Sequence, residues 1–352
     1  MNLYLGNMAL ASIVKRASVA PMDGGEPTGW LASPWLDLVF IANIFWPLLL
    51  LPALRVGETT AVSFWQVYFV TLPHRWLTLA LVALDPDRRA GSPVWIGMAL
   101  LLPALLLFVV WSAAGSLICL AMIDFVWNAW HFGSQHAGIS RAYSIRCGDG
   151  HSSFERWGIR LLVVYALGRP VEWITGWVSM DSNLGMVLGG TDWVVMSVGM
   201  TLLAANLIKM RQPGRAAKLC HLASLVTLYC CLVAAVHWGW THALVPLLTA
   251  SALMHASEYI AFVGVYINKR SDRGGEGPVR AVAFHLLGWL MTFITVMGCI
   301  GWLMELSPSS AATWGALNLW AAFVHYGLDG IIWKLRQPSI RAVLSTPRTL
   351  QG

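Results

Sequence analysis

Two pairs of side chains in long apolar stretches of the sequence have the types and spacing that suit metal chemistry. Glu258 follows His255 at i+3, and Asp329 follows His325 at i+4. On a helix, each acid lies on the same face as its histidine. A carboxylate at that position can bind a metal ion or fix the tautomer of the imidazole. Histidine and carboxylate ligands suit iron and, less distinctively, zinc, copper or manganese. We therefore expect a metal site, and iron would bring oxygen chemistry.

A polar stripe runs along one face of another apolar stretch. Asp124, Asn128, His131 and Gln135 stand at i, i+4, i+7 and i+11 among Phe, Val, Ala and Trp residues. Such a stripe must face protein, water or a ligand rather than lipid. His136 lies about 140° round the helix from His131, so the two imidazoles share a face only if the helix is distorted. We predict His131 as a metal ligand, and His136 stays open between a fifth ligand and an interfacial residue.

The composition indicates the class of protein that positions these residues. Of 352 residues, 57% are hydrophobic, 11% are charged and 20 are Trp, and the mean hydropathy is +0.63. We predict an all-α, polytopic membrane helix bundle, because a soluble domain does not have this composition. The net charge of +6 does not indicate a nucleic-acid partner, since the basic residues lie in short clusters between apolar runs. The six cysteines show neither zinc-site nor disulfide spacing.

Apolar runs separated by charged or Gly/Pro-rich breaks predict about ten transmembrane helices. They cover residues 35–54, 62–84, 94–112, 115–139, 157–177, 191–209, 219–238, 242–267, 279–303 and 311–335, each close to the length that a bilayer needs. This transmembrane domain, 35–335, follows a cytosolic or interfacial segment, 1–34, and precedes a cytosolic tail, 336–352. The tight turns at 112–115 and 239–241 predict that the third and fourth helices, and the seventh and eighth, form antiparallel hairpins.

The distribution of basic residues supports this topology. Ten helices place both termini and the loops after even-numbered helices on one side of the membrane. Of the 23 Lys and Arg residues, all except Arg55, Arg75 and Arg169 fall on that side. Cytoplasmic loops carry an excess of Lys and Arg, so we predict that the N- and C-termini are cytoplasmic.

The topology also places four histidines at a common depth. Each lies in an even-numbered helix, roughly nine to fourteen residues before the basic cluster that ends the helix. At about 1.5 Å rise per residue, the four imidazoles fall within a layer about 8 Å deep. We predict that the metal ligands are His74, His131, His255 and His325, with Glu258 and Asp329 as further ligands or orienting groups.

Other polar residues in the apolar runs give weaker indications of function. Arg75 at membrane depth needs a carboxylate partner, for which Asp124 is the candidate, or an anionic group of a substrate. We predict Asp124, Arg75 and Glu258 as the residues that contact the substrate or take part in catalysis. His221 and His285 are isolated in the sequence, and we expect structural roles for both. Each histidine taken singly could also be an interhelical hydrogen-bonding group.

Two short motifs resemble a known family. Leu72-Pro73-His74, followed by Trp130-His131-Phe132-Gly133 on a later helix, is similar to the Pro-His and His-Phe-Gly motifs of Brp/Blh-type membrane proteins, which cleave β-carotene with O2 at an iron held by histidines on several helices. The resemblance implies a shared type of site. Arg75 stands where that family has Gly. The chain also resembles a loose group of bacterial multi-pass proteins, which implies the inner (cytoplasmic) membrane.

These features together favour an integral membrane, metal-dependent oxidoreductase or oxygenase with non-haem iron. The expected partners are O2, the lipid bilayer, an electron donor and a lipophilic or amphiphilic small-molecule substrate that enters from the bilayer. Whether the centre holds one metal ion or two stays open. A proton-coupled transporter would also have His, Asp, Glu and Arg at this depth. A haem-binding electron carrier would use a pair of histidines as axial ligands.

Overall fold

The protein is helical throughout the part that the computed structural model describes, which is residues 29–51, 67–86, 93–150, 152–175, 182–212, 214–272 and 278–333. The short turns Pro34–Leu36, Asp37–Ile41 and Trp46–Leu50 come first, and a π-helical turn, Val67–Thr71, leads into the first long helix. The remaining helices within these residues are α1 (Leu72–Leu84), α2 (Pro93–Ala114), α3 (Ile118–Arg146), α4 (Ser153–Thr175), α5 (Asn183–Leu207), α6 (Arg215–His237), α7 (Thr241–Asp272), α8 (Pro278–Phe284), α9 (Leu286–Met304) and α10 (Pro308–Ile332).

Five of the described helices, α2, α5, α6, α7 and α9, are long and apolar enough to cross a membrane. Large apolar side chains such as Leu101 and Phe108 are exposed on their outer surfaces, as lipid-facing residues are. The all-helical class is confirmed, and these helices support an integral membrane protein. The count of about ten spans and the side of the termini stay predictions. The N-terminal segment to residue 28 and the tail 336–352 lie outside the described residues.

Two predicted spans are not continuous helices. The first corresponds to the short turns up to Leu50, and residues 52–54 lie outside the described part. The ninth is divided at His285, which is exposed and has a non-helical backbone (φ −118°, ψ 32°) as the N-cap of α9. A break at that point separates α8 from α9.

Helix α7 holds the bundle together, because its two halves join different parts of the core. Its N-terminal half, with Leu244, Leu247 and Met254, packs with buried residues of α4, α5 and α6. Its C-terminal half, with Tyr259 and Val263, packs with α1, α8 and α10. The stretch between Met254 and Tyr259, which carries the predicted ligands of this helix, therefore lies where the two clusters of core residues meet.

The two predicted hairpins have different outcomes. Helices α6 and α7 pack against each other across the turn at Gly239 (φ +67°), a backbone conformation that favours glycine. Helix α2 makes at most slight contact with α3 and packs against α10 instead. A Cβ on Gly327 would lie 3.4 Å from the Cβ of Ala99, so the small residue permits this close approach. Helices α2 and α3 share the buried cluster of Leu107, Leu120 and Leu319, but the extensive packing of α2 is with α10 and not with α3.

One of the three basic residues that departed from the charge pattern has a local explanation. Arg169 in α4 is buried and forms a two-point ion pair with Asp192 of α5, with Nε–Oδ1 2.8 Å and Nη2–Oδ2 3.1 Å. His237 Nδ1 lies 2.9 Å from the same carboxylate. A charge that is paired in this way can be buried.

Candidate metal centre

Four predicted histidines from four helices meet in one buried cluster, which we call the first cluster together with Asp329. The ring centroids are 5.0 Å apart for His74 and His255, and 5.0 Å apart for His255 and His131. They are 4.7 Å apart for His131 and His325, and 5.2 Å apart for His325 and His74, which closes the ring. Neighbouring rings stand edge to face. The first cluster consists of His74 (α1), His131 (α3), His255 (α7), His325 and Asp329 (α10).

These spacings fit imidazoles that surround one ion. A transition-metal ion binds an imidazole nitrogen at about 2.1 Å, which puts the ring centroid about 3.2 Å from the ion. Two such rings are then about 4.6 Å apart at a right angle and about 5.3 Å apart at a tetrahedral angle. All four observed spacings fall within this interval. The residues present therefore fit metal binding. Their ligand atoms form two groups within 4.8 Å, His74 with His255 and His325, and His131 with His325 and Asp329, which share His325.

The ligand atoms themselves have compatible separations. Nε2 of His131 lies 3.0 Å from Nε2 of His325. Asp329 Oδ2 lies 3.6 Å from His325 Nε2 and 3.8 Å from His131 Nε2, too far for hydrogen bonds. Two ligands of one ion are about 3.0 Å apart at 90° and about 3.6 Å apart at 120°. These three atoms could therefore be neighbouring ligands of the same ion.

Hydrogen bonds on the far sides of the rings fix the tautomers that metal binding requires. His74 Nδ1 donates to the carbonyl oxygen of Thr71, so its Nε2 keeps the lone pair. His325 Nδ1 lies 2.6 Å from the Thr78 hydroxyl, which can accept its proton. Tyr259 donates its hydroxyl proton to Asp329 Oδ1 at 3.0 Å, which leaves Oδ2 facing the imidazoles. Partners of this kind orient the ligands of known metal sites.

His255 gives the clearest indication that the first cluster suits a metal ion. Its side chain is fully buried, and neither ring nitrogen makes a hydrogen bond within the described residues. The face of the ring stacks on Phe132 with centroids 3.8 Å apart, which leaves the ring edge to face the other imidazoles. A buried polar atom without a partner costs about 1–3 kcal/mol. A metal ion at the centre of the first cluster would provide the missing partner.

A second cluster adjoins the first and is made by His136, His221 and Glu258, from α3, α6 and α7. All three residues are 0% exposed. His221 Nε2 lies 2.8 Å from Glu258 Oε1, and His136 Nδ1 lies 3.0 Å from Glu258 Oε2. Gln135 donates to Oε2 at 2.9 Å and to the carbonyl oxygen of His255 at 2.8 Å. Its single side chain therefore connects the two clusters.

The polar stripe of α3 divides between these clusters. His131 faces the first, whereas His136 faces the second across an uninterrupted helix. This confirms that the two imidazoles do not share a face. Asp124 and Asn128 accept hydrogen bonds from the hydroxyl of Tyr326, at 2.8 Å and 3.0 Å.

The structure does not bring the predicted pair of Arg75 and Asp124 together. Asp124 has Tyr326 as its partner, and the ring of Tyr326 lies 4.8 Å from that of His131. Arg75 is half-buried and makes no ion pair with another described residue. Its position next to His74 in the sequence keeps it beside the first cluster, where it can meet an anionic group.

Several residues of the site were not predicted from the sequence. His221 was expected to have a structural role, yet it lies against Glu258. Only the packing of α6 against α3 and α7 could reveal this. Thr78 could have been found, because it follows His74 at i+4 on the same face. Tyr259 and Tyr326 each directly follow a predicted site residue, but adjacency alone does not predict a contact.

Another polar cluster lies at the turn between α3 and α4. Asp149 is paired with Arg215 and Lys218, and Lys218 also lies 2.8 Å from Glu155. Burial raises the pKa of Asp149, but hydrogen bonds from Arg215 and Lys218 outweigh it, so the pKa lies below its ordinary value. A cavity of about 240 Å³ adjoins this cluster and contains none of the predicted site residues. Because its charges are paired, we assign the cluster a structural role.

Comparison with known proteins adds no assignment. No protein-family model, no curated protein and no solved structure matches this chain. The resemblance to Brp/Blh-type proteins therefore stays an expectation based on two short motifs. What the site can do has to be inferred from the geometry of its own residues.

Proposed function

We propose that this protein is an integral membrane, metal-dependent oxidoreductase whose metal is non-haem iron bound by the first cluster. The observation that carries this proposal is the closed ring of four imidazoles, with centroids 4.7–5.2 Å apart, from four different helices. Helices distant in the chain have no need to converge on four histidines for packing alone. The membrane would be the inner membrane of a bacterium.

The donor set favours iron and oxygen chemistry. Four imidazoles with one carboxylate offer nitrogen and oxygen ligands and no thiolate, which suits iron better than copper(I) or a structural zinc. When bound in such a site, iron can supply O2 activation. The chain's own residues would hold the ligands in place, as Thr78 does for His325 and Tyr259 does for Asp329. Their burial keeps water away from the centre.

The substrate that fits these surroundings is lipophilic or amphiphilic. The helices around the site present apolar outer surfaces, so a substrate dissolved in the bilayer can reach the protein directly. Arg75, half-buried beside the cluster, could bind an anionic head group of the substrate. The hydroxyl of Tyr326 and the carboxylate of Asp124 lie on the other side of His131 and could bind or orient a polar group of the substrate.

The alternative of a haem carrier is not favoured by the geometry. A porphyrin must lie between its two axial imidazoles, whereas neighbouring rings here stand edge to face with centroids only 4.7–5.2 Å apart. The alternative of a proton-coupled transporter predicts buried acids and histidines as well. Metal analysis separates it from the metalloenzyme.

The test is metal retention by the full-length protein in detergent. We expect protein loaded anaerobically with ferrous iron to retain iron in stoichiometric amount, without a Soret band. His255→Ala should abolish retention at the first cluster, because it opens the ring of ligands. His285→Ala is the matched control, because His285 is exposed at the N-terminus of α9. If the protein retains no iron, or if both variants retain as much as the unchanged protein, the proposal is wrong.

Activity then needs a separate measurement. Iron-loaded protein in bilayer nanodiscs should consume O2 when supplied with an apolar substrate and an electron donor, and the label of ¹⁸O2 should enter the lipid-soluble product. Protein with the His255→Ala change should consume O2 at the rate of the empty nanodiscs. Iron retention without any O2 consumption over a panel of lipophilic carboxylates, alcohols and polyenes would support a metal centre but contradict an oxygenase.

A further inference from the structure

We infer that the second cluster, His136, His221 and Glu258, is a second metal site, so that the centre is dinuclear. This inference rests on the proposed metal centre and deepens it. The ion would be a divalent transition metal of the kind that nitrogen and carboxylate oxygen bind together, iron in the first place. Three helices contribute one ligand each, which is the minimum that holds an ion in a defined position within a bundle.

The contact between His136 and Glu258 has the separation expected of two neighbouring ligands of one ion. His136 Nδ1 lies 3.0 Å from Glu258 Oε2, yet it makes no hydrogen bond with a described residue. Two atoms about 2.1 Å from one ion are about 3.0 Å apart when they are at right angles, and both then aim at the ion.

The hydrogen bonds around His136 are compatible with the tautomer that metal binding requires. Its Nε2 lies 3.1 Å from the hydroxyl oxygen of Tyr229, and that hydroxyl lies 2.9 Å from the hydroxyl of Ser251. If His136 carries its proton on Nε2, it donates to Tyr229, and Tyr229 donates to Ser251. In this arrangement Nδ1 keeps the lone pair that binds a metal.

The charge of the second cluster also calls for a cation. Glu258 is fully buried, and its ion-pair contacts among the described residues are with His136 and His221 only. With both imidazoles neutral, the cluster carries one uncompensated negative charge in a medium where that is costly. Nδ1 of His221 likewise has no hydrogen-bond partner in the described part of the chain. A divalent ion compensates the carboxylate, and a proton on one imidazole is the competing explanation.

The two clusters are close enough to form one centre. The ring centroids of His136 and His255 are 6.3 Å apart. His255 and Glu258 share a face of α7 at i and i+3. Gln135 joins both clusters through its hydrogen bonds to Glu258 and to the carbonyl oxygen of His255. Sites with two metal ions stabilise charge at both ions during a reaction, so a substrate or O2 could contact both.

The experiment counts iron atoms per chain in the full-length protein. We expect two in the unchanged protein, about one in His221→Gln and about one in His255→Ala. The glutamine can still donate a hydrogen bond to Glu258 but is a poor ligand, so the change separates metal binding from hydrogen bonding. His136→Gln should also lower the count to about one, and it replaces His221→Gln if that variant does not fold. The melting temperature and elution volume of each metal-free variant check folding.

The outcomes distinguish this inference from the proposed function. If the unchanged protein binds one iron, and this iron is lost in His255→Ala but kept in His221→Gln, the second site is overturned and the first cluster is supported. If the unchanged protein binds one iron, and this iron is lost in His221→Gln but kept in His255→Ala, the first cluster is overturned as a metal site and the second is supported. If His221→Gln and His136→Gln each still bind two iron atoms, the second cluster does not bind metal. It is then an ion pair between a protonated histidine and the carboxylate of Glu258. No iron in the unchanged protein overturns both.

Discussion

The hydroxyl of Thr78 offers a test of how the ligands are oriented, because Thr78→Val keeps the shape and removes the polar atom. Thr78 is fully buried, and Oγ1 lies 2.6 Å from His325 Nδ1 and 2.5 Å from the hydroxyl of Tyr259. Without Oγ1, the Nδ1 proton of His325 loses its acceptor. The ring can then turn, and Nε2 no longer faces the other ligands. Loss of such a partner lowers metal affinity by about 10- to 100-fold.

The assay is competition for ferrous iron between the full-length protein and a chromophoric chelator under anaerobic conditions. Thr78→Ser retains a hydroxyl and should restore most of the affinity. Thr201→Val is the matched control, because the exposed hydroxyl of Thr201 donates only to the carbonyl oxygen of Ser197. An affinity of Thr78→Val within about twofold of the unchanged protein, when tenfold or more is expected, would refute the assigned tautomer and orientation of His325.

Two further predictions concern stability. A Cβ on Gly133 would lie 3.2 Å from the Cα of Arg160, so Gly133→Ala should push α3 from α4 and lower the free energy of unfolding by about 1–3 kcal/mol. The matched Gly138→Ala has nothing within 4 Å of the added Cβ and should be neutral or stabilising, as denaturation with a mixed detergent can show. Pairing with Arg215 and Lys218 lowers the pKa of Asp149. The contribution of Asp149 to the free energy of unfolding is therefore present above the ordinary pKa of a free aspartate, and it is lost as the pH falls through the lowered pKa. Asp149→Asn should therefore reduce stability at neutral pH and weaken the loss of stability below about pH 4, whereas an unchanged acid dependence would contradict the pairing.

The local spacing of residues predicted much of the site. Asp329 follows His325, and Glu258 follows His255, on the same helical faces that the structure buries. The common depth of four histidines predicted that they could meet, and the structure brings them within contact of one another. Side-chain spacing and depth depend on the helix alone. For this reason the sequence is enough to predict them.

What could not be predicted depends on which helices become neighbours. His221 has no other histidine or acid near it in the sequence of α6, and its partner Glu258 lies 37 residues away on another helix. The packing partner of α2 could not be predicted for the same reason. A tight turn permits an antiparallel pair, but α2 packs on α10, where Gly327 allows close approach. Such preferences come from the fit of two surfaces, which no single stretch of sequence contains.

The buried polar groups of the two clusters are costly to the fold, and this bears on their purpose. In the described residues both nitrogens of His255 and one nitrogen each of His136 and His221 have no hydrogen-bond partner. Each such atom costs about 1–3 kcal/mol, a large amount beside a typical net stability of about 5–15 kcal/mol. Aliphatic side chains at these positions would pack without that cost. A metal ion in each cluster would bind one nitrogen of each imidazole and so remove part of this cost, and the spacing and the charge of these residues fit such ions.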